Sequence, residues 1–273
     1  MTRDSTAAAV THITSRDNPL LKALRKLSEE PTAYRRLGRV WLEGDHLCRA
    51  ALQRGWVPAI AVFADSHRPS ASPTLSQAAA KTLTIPDKLF AEISALESPA
   101  SMGFVMDLPP KVAPLAQVQT LVLDRVQDAG NVGSMLRSAA AFGVQQVIAL
   151  KGTAALWSPK VLRAGMGAHF ALELHEGLES NELLLDLDRL AVPLIVTSSH
   201  QGQLLHQQVL PKPCAWVMGH EGQGVSAYLM AKAAVKVRIA QPGGEESLNV
   251  AAAAAICLHF SSMQDQAGSD QRL

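Results

Sequence analysis

The apolar positions of this chain follow two periods, and the change between them lays out its elements. Leu20, Leu21, Leu24 and Leu27 recur at helical spacing, which predicts an amphipathic helix from Asn18 to Leu27 with Lys22, Arg25 and Lys26 on its flanks and outer side. Short apolar runs then predict strands at 39–42, 59–64, 82–85 and 102–106, with helices at 45–54 and 87–96 between them. The Ser-, Pro- and Ala-containing stretch 66–77 reads as an exposed loop. This first part reads as a small α/β sandwich.

Residues 107–117 hold three prolines and little periodicity, so a stiff connector is expected there, with a linker at 109–118 between a domain at 1–108 and a second at 119–263. Beyond it strands are expected at 120–124, 146–150, 193–197, 214–218 and 235–239. Helices are expected near 131–142, 159–165, 180–190, 227–231 and 247–262. Such alternation implies a mostly parallel sheet covered on both faces, with sites at the carboxyl ends of its strands. The polar end, 264–273, reads as a frayed, disordered tail.

With 273 residues and 48% hydrophobic content the chain can bury one large or two medium cores. No apolar run reaches the roughly eighteen residues of a membrane span, and Met1–Val10 lacks the layout of a secretory signal, so the cytoplasm is the expected compartment. Cys48, Cys214 and Cys257 are widely spaced with no paired-ligand pattern, so they read as small buried hydrophobes, and no metal is expected. The net charge of +1 conceals an uneven distribution: between Thr11 and Gly55 nine Lys or Arg face five acids. That excess suits either a polyanion-binding face or a solvated helix side.

Chemistry concentrates in three blocks, each an apolar strand ending in a glycine-containing turn with a few polar side chains. The first, Leu121 to Gly143, carries Asn131 and Arg137; the second, Met218 to Ser226, carries Glu221; the third, Ile239 to Val250, carries Ser247 and Asn249. Gly222-Gln-Gly224-Val-Ser-Ala227 also matches the dinucleotide form G-x-G-x-x-A, but a nicotinamide or flavin fold needs several further strand–helix units, and one strand and one helix remain. No G-x-x-x-x-G-K-[ST] phosphate loop is present. Ser247 reads as an N-cap for the last helix, while Asn249, a mediocre helix former, is free to bond substrate or the Asn131 loop. Glu221 is an unusual turn residue and reads as an orienting group.

In this order and spacing the blocks resemble the SpoU/TrmH-type RNA 2'-O-ribose methyltransferases, members of the trefoil-knotted SPOUT superfamily, strongly over 120–260 and more weakly before it. The third block departs from the family pattern at Ala240, Gln241 and Glu245 and keeps Ser247, Leu248 and Asn249. The resemblance implies an L30e-like substrate-binding domain followed by a SPOUT domain with a C-terminal knot, and physics alone gives only an unknotted doubly wound sheet. Close passage of the knotted segment is expected at Gly219 and Gly243–Gly244. It further implies S-adenosylmethionine as cofactor, held by backbone around Met218, Gly219, Ile239 and Leu248, and structured ribosomal or transfer RNA as substrate. Homodimerisation is implied as well, with Ala251–Ala255 offering a flat packing surface. Arg137, Asn131, Glu221, Ser247 and Asn249 form the implied catalytic set, in which Glu221 holds Asn131 or Arg137 in place, and Lys22, Arg25, Lys26, Lys160 and Arg163 are the implied RNA contacts. The matching family arginine is proposed to take the ribose proton, whereas guanidinium titrates above about 12, so clamping phosphate and stabilising an alkoxide is the physical alternative. A non-catalytic RNA-binding relative is the competing reading, supported by the altered 240–245 loop.

Overall fold

A computed structural model describes residues 10–179, 190–198, 201–244 and 247–269, with side chains to Gln264. Most of the expected 180–190 helix, together with Glu245 and Glu246, lies outside the described residues. The chain divides into two compact units, one of residues 1–110 with 157–170 and one of 111–156 with 171–273.

In the first unit, helix α1 (Pro19–Glu29) opens with Pro at its first position, and the Asn18 side chain accepts the Leu20 amide at 2.9 Å. Leu21, Leu24 and Leu27 turn inward and are buried. Strands β1 (Val10–His12), β2 (Arg39–Glu43), β3 (Ile60–Ala64), β4 (Lys81–Ile85) and β5 (Met102–Asp107) form a mixed sheet in the order β1-β4-β3-β5-β2. Around it lie α2 (Ala33–Leu37), α3 (Asp45–Gln53), α4 (Pro73–Ser76) and α5 (Asp87–Ile93). The 66–77 segment is not the plain loop expected, because Arg68–Ser70 forms a 3-10 turn and Pro73 starts α4, whose Leu75 is buried. Helix α7 (Pro159–Gly165) also belongs to this unit and packs against α1 and β2. The aromatic rings of Trp157 and Phe170 flank Trp56 at 5.9 and 5.3 Å, so segment 157–170 completes the first core rather than the second.

The second unit is built on an all-parallel sheet of β6 (Thr120–Asp124), β7 (Gln146–Leu150), β8 (Glu173–Leu178), β9 (Leu194–Thr197), β10 (Gln203–Leu204), β11 (Ala215–Gly219) and β12 (Val235–Arg238), in the order β10-β12-β9-β11-β6-β7-β8. Its central strands β6, β7 and β11 are buried along their whole length, as a sheet covered on both faces requires. Helices α6 (Ala129–Ala141), α8 (Ala227–Lys232) and α9 (Val250–Ser269) complete it, and α9 packs on α6 and β11. The helix runs to Ser269, so the expected disordered tail is helical over 264–269. Gln146, fully buried, satisfies its amide by accepting from the Leu115 N–H at 2.9 Å and donating to Leu115 O and Thr120 Oγ1 at 2.8 and 2.9 Å, which anchors the proline-rich connector.

Two glycines mark close backbone approaches. A Cβ on Gly202 would lie 2.4 Å from Lys236 O and one on Gly219 2.2 Å from Gly224 C, whereas Gly243 and Gly244, expected at such a passage, face open space. In the first unit a Cβ on Gly103 would meet the Trp41 ring at 2.3 Å and Leu42 O at 2.6 Å. Gly103→Ala is therefore expected to destabilise the protein by about 2 kcal/mol through overpacking, measured as a lower urea midpoint at unchanged slope. An unchanged midpoint would show that β2 and β5 part without cost.

Candidate active site

The parallel partners β6 and β11 end side by side, with Asp124 in register with Gly219. The turns leaving them carry backbone amides with no partner in the sheet, and each turn is closed by a carboxylate from the other. Asp124, fully buried, accepts the Ser226 amide at 2.6 Å and the Arg125 Nε–H at 3.1 Å. In return Glu221 accepts the Gln127 amide at 3.2 Å, the Asp128 amide at 3.1 Å and the Asn131 Nδ2–H at 3.2 Å. Arg125, held at φ 60°, adds a bond from its guanidinium to Gln223 Oε1 at 3.0 Å.

Burial acts to raise the Glu221 pKa from its ordinary 4.5, but the hydrogen bonds from its own amide, from Asp128, Asn131 and Gln127 outweigh it and hold the carboxyl below that value. From Asn131 the network continues to the last helix. Asn131 Oδ1 accepts from Asn249 Nδ2 at 3.0 Å, and Asn249 Oδ1 accepts the amides of Ala251 and Ala252 at 2.9 and 3.2 Å. Asp128 in turn caps α6 by accepting the Asn131 amide at 2.7 Å.

Beside this network opens a cavity of about 410 Å³, within the range of small-molecule sites. Its wall is polar along 219–224 and apolar at Val225, Ile239, Leu248 and Ala253. Gln241 also lines it and holds a buried Oε1 with no hydrogen-bond partner, an acceptor that an incoming donor would satisfy. Among the described residues no group of three or more His, Cys, Asp or Glu is placed to hold a metal ion.

Of the expected catalytic residues, Asn131, Glu221 and Asn249 are hydrogen-bonded to one another in a chain, with Asn131 rather than Arg137 on Glu221. Arg137 stands exposed on α6, without a hydrogen-bond or ion-pair partner among the described residues, and does not line the cavity. Ser247 is exposed and lines the cavity, but it is not the helix cap. The helix begins at Val250, three residues later than expected, and Asn249 supplies the capping oxygen. Gly219, Ile239 and Leu248 line the cavity, whereas the Met218 side chain is fully buried and accepts from Thr197 Oγ1 at 3.9 Å, leaving only its backbone for a ligand.

Among the expected RNA contacts, Lys22, Lys26, Lys160 and Arg163 are exposed, Lys22 pairing with Asp17 at 2.8 Å. Arg25 is not: its side chain is 18% exposed, pairs with Glu92 at 3.3 Å and donates to Arg16 O at 3.0 Å. Sequence reasoning passed over Asp124, Arg125, Asp128, Thr197, Ser198, His220 and Gln241 as site residues. Asp124 and Thr197 end apolar strands, and Asp128 stands three residues before Asn131 in the N-cap pattern, so those three carried a readable signal.

Residues 119–259 match the SpoU rRNA Methylase family, and residues 18–103 match the MRM3-like substrate binding domain. The 23S rRNA (guanosine(2553)-2'-O)-methyltransferase RlmP of Bacillus subtilis is 32% identical over 222 residues, covering 80% of this chain and 86% of that protein. A putative RNA methyltransferase of the TrmH family from Porphyromonas gingivalis superposes with a TM-score of 0.77 at 32% identity, covering 88% of this chain and 95% of the other. The AdoMet-bound rRNA methyltransferase of Sinorhizobium meliloti gives a TM-score of 0.81 over 93% of this chain and 98% of its own, a likeness of fold at 24% identity.

Because the folded Glu221 pKa lies below 4.5, its hydrogen bonds favour the ionised form; their contribution is complete above that pH and is lost as pH falls through the lower folded value. Protection of the Gln127 and Asp128 amides, taken relative to intrinsic exchange at each pH, is expected to fall over that acid window in the native protein. Glu221→Gln should show fast exchange already at neutral pH and no acid step. Equal protection in both proteins would show that the turn is held by other means.

Proposed function

Because the chain belongs to the SpoU rRNA methylase family, we propose that it is an S-adenosylmethionine-dependent enzyme that methylates the 2'-oxygen of a ribose in structured RNA, ribosomal or transfer. The observation that carries this reading is the cavity at the ends of β9, β11 and β12, sharing its wall with the turn that Glu221 ties to Asn131. S-adenosylmethionine, when bound, supplies a sulfonium methyl open to in-line displacement by the ribose oxygen. The residues present fit it: an apolar wall suits the nucleoside, polar turns suit the amino-acid end, and Gln241, though a departure from the family pattern, lines the cavity rather than filling it.

The task of the chain is alignment and charge. Glu221, Asn131 and Asn249 hold the three strand-end turns in one arrangement. Arg137, a permanent cation six residues beyond Asn131 with its guanidinium uncommitted, is the group left to clamp phosphate and stabilise the developing alkoxide. Ser247, at the cavity wall, is a further substrate contact.

Several finer points belong to the same proposal. The L30e-like first unit grips RNA through Lys22, Lys26, Lys160 and Arg163, which α1 and α7, packed together, carry in one unit. A trefoil knot suits the sheet order, in which β12 lies between β9 and β10, and the close approach of Gly202, just before β10, to the backbone of Lys236 in β12. A homodimer through α9 would cover the exposed Ile256 and Met263. The cytoplasm suits three cysteines that are all buried.

Two measurements test the reading. Arg137→Ala should leave S-adenosylmethionine affinity nearly intact yet lower single-turnover methyl transfer to RNA by about a hundredfold. Arg137→Lys restores rate if charge alone matters and not if the planar fork does; full turnover in the alanine variant would remove Arg137 from the chemistry. For RNA affinity, neutralising Lys22, Lys26, Lys160 and Arg163 together should weaken binding and flatten its dependence on salt, while Arg25→Ala should act on stability instead. An unaltered salt slope in the fourfold variant would place RNA on another face.

A further inference from the structure

The cavity holds a histidine whose protonation pattern the backbone dictates. His220, last residue before the 221–224 turn, lines the cavity, and its Nδ1 accepts two amides, from Gly222 at 3.0 Å and Gln223 at 3.2 Å. A ring nitrogen that accepts carries no proton, so the neutral imidazole bears its hydrogen on Nε2. Turning the ring over would set a carbon against both amides, so the same two bonds fix its orientation. His220 is therefore a donor at Nε2, and that nitrogen has no partner among the described residues. It cannot serve as a general base there, because its lone pair is already protonated.

We propose that His220 is the specificity-determining residue for the amino-acid half of the cofactor, its Nε2–H donating to the carboxylate of S-adenosylmethionine. This rests on the function proposed above. The carboxylate is the only anionic group of that ligand. The apolar wall at Val225, Ile239 and Leu248 suits the nucleoside and offers an anion nothing. Along the polar wall the Glu221 carboxylate repels it, and the amides of Gly222 and Gln223, the turn's natural anion donors, are already spent on Nδ1. His220 thus takes up two backbone donors of the turn and carries one uncommitted donor of its own on a residue that lines the cavity.

The test is calorimetric binding of S-adenosylhomocysteine and of 5'-methylthioadenosine, which keeps nucleoside and sulfur but lacks the amino acid, to the full chain and to His220→Asn, His220→Asp and His220→Ala. Asn and Asp both retain a side-chain oxygen able to accept the amides of the turn, and only Asn also presents a donor. The expected result is that Ala and Asp weaken S-adenosylhomocysteine by about tenfold or more while Asn stays within about threefold, with 5'-methylthioadenosine bound equally by the native chain, Asn and Asp. Equal affinity of Asn and Asp would reduce His220 to a turn residue and overturn the proposal. So would a loss of RNA affinity with S-adenosylhomocysteine unaffected, which would give the donor to a phosphate. Nitrogen-15 spectra of the free protein provide a readout independent of ligand: a hydrogen on Nε2 is expected, and one on Nδ1 would refute the geometry. If the native chain bound neither nucleoside compound, the proposed function itself would fail, an outcome distinct from any difference among variants.

Discussion

Two carboxylates exchanged between neighbouring strand ends govern this site. Asp124, at the end of β6, accepts an amide from the turn after β11; Glu221, after β11, accepts two amides and a side-chain N–H from the turn after β6. Parallel strands end together on one edge of the sheet, where the ladder leaves backbone donors unpaired. Here each turn satisfies donors of the other. With Glu221 and Asp124 engaged in holding backbone, Arg137, Ser247, His220 and the amide of Gln241 are among the groups of the described residues left to meet a ligand.

The last helix joins this frame through one residue. Asn249 uses both ends of its amide, the oxygen to cap α9 and the nitrogen to reach Asn131. The start of a helix packed on α6 and β11 is thereby locked to the turn that Glu221 holds. Packing of the helix and geometry of the site are one event, since unwinding the first turn of α9 would release Asn131.

Much of this was legible beforehand. Strands β2 to β7, β9, β11 and β12 follow from apolar runs bounded by turn residues, and leucine spacing gave α1 its inward face, whereas β1 and β10, of three and two residues, are too short to show a pattern and were not expected. Strand β8 escaped notice because Glu173–Leu178 carries an exposed Glu173, a buried His175 and a half-buried Glu176 on the edge of the sheet, where a continuous apolar run is not required. The position of the cap at Asn249 was misplaced to Ser247 because both are good N-cap types, and only the backbone decides between them. Arg25 was grouped with its exposed neighbours because periodicity assigns a face but not a partner; Glu92, which holds it, is 67 residues away in the chain. His220 offered no signal at all, since its role comes from which ring nitrogen faces the turn.

The excursion of Trp157–Phe170 into the first unit has a consequence for how the chain can be divided. The polypeptide passes between the two units three times, after Pro110, after Leu156 and after Phe170. No single cut therefore yields both units whole. A fragment ending at Pro110 lacks the two rings that flank Trp56 and the Gly167 backbone that lies against Ala50, and the remainder carries those apolar groups with nothing to cover them. Sequence order and structural membership part company here: the segment that finishes the first fold is made only after β6, α6 and β7 of the second, so a chain emerging from the ribosome cannot complete its first unit until much of its second has been synthesised.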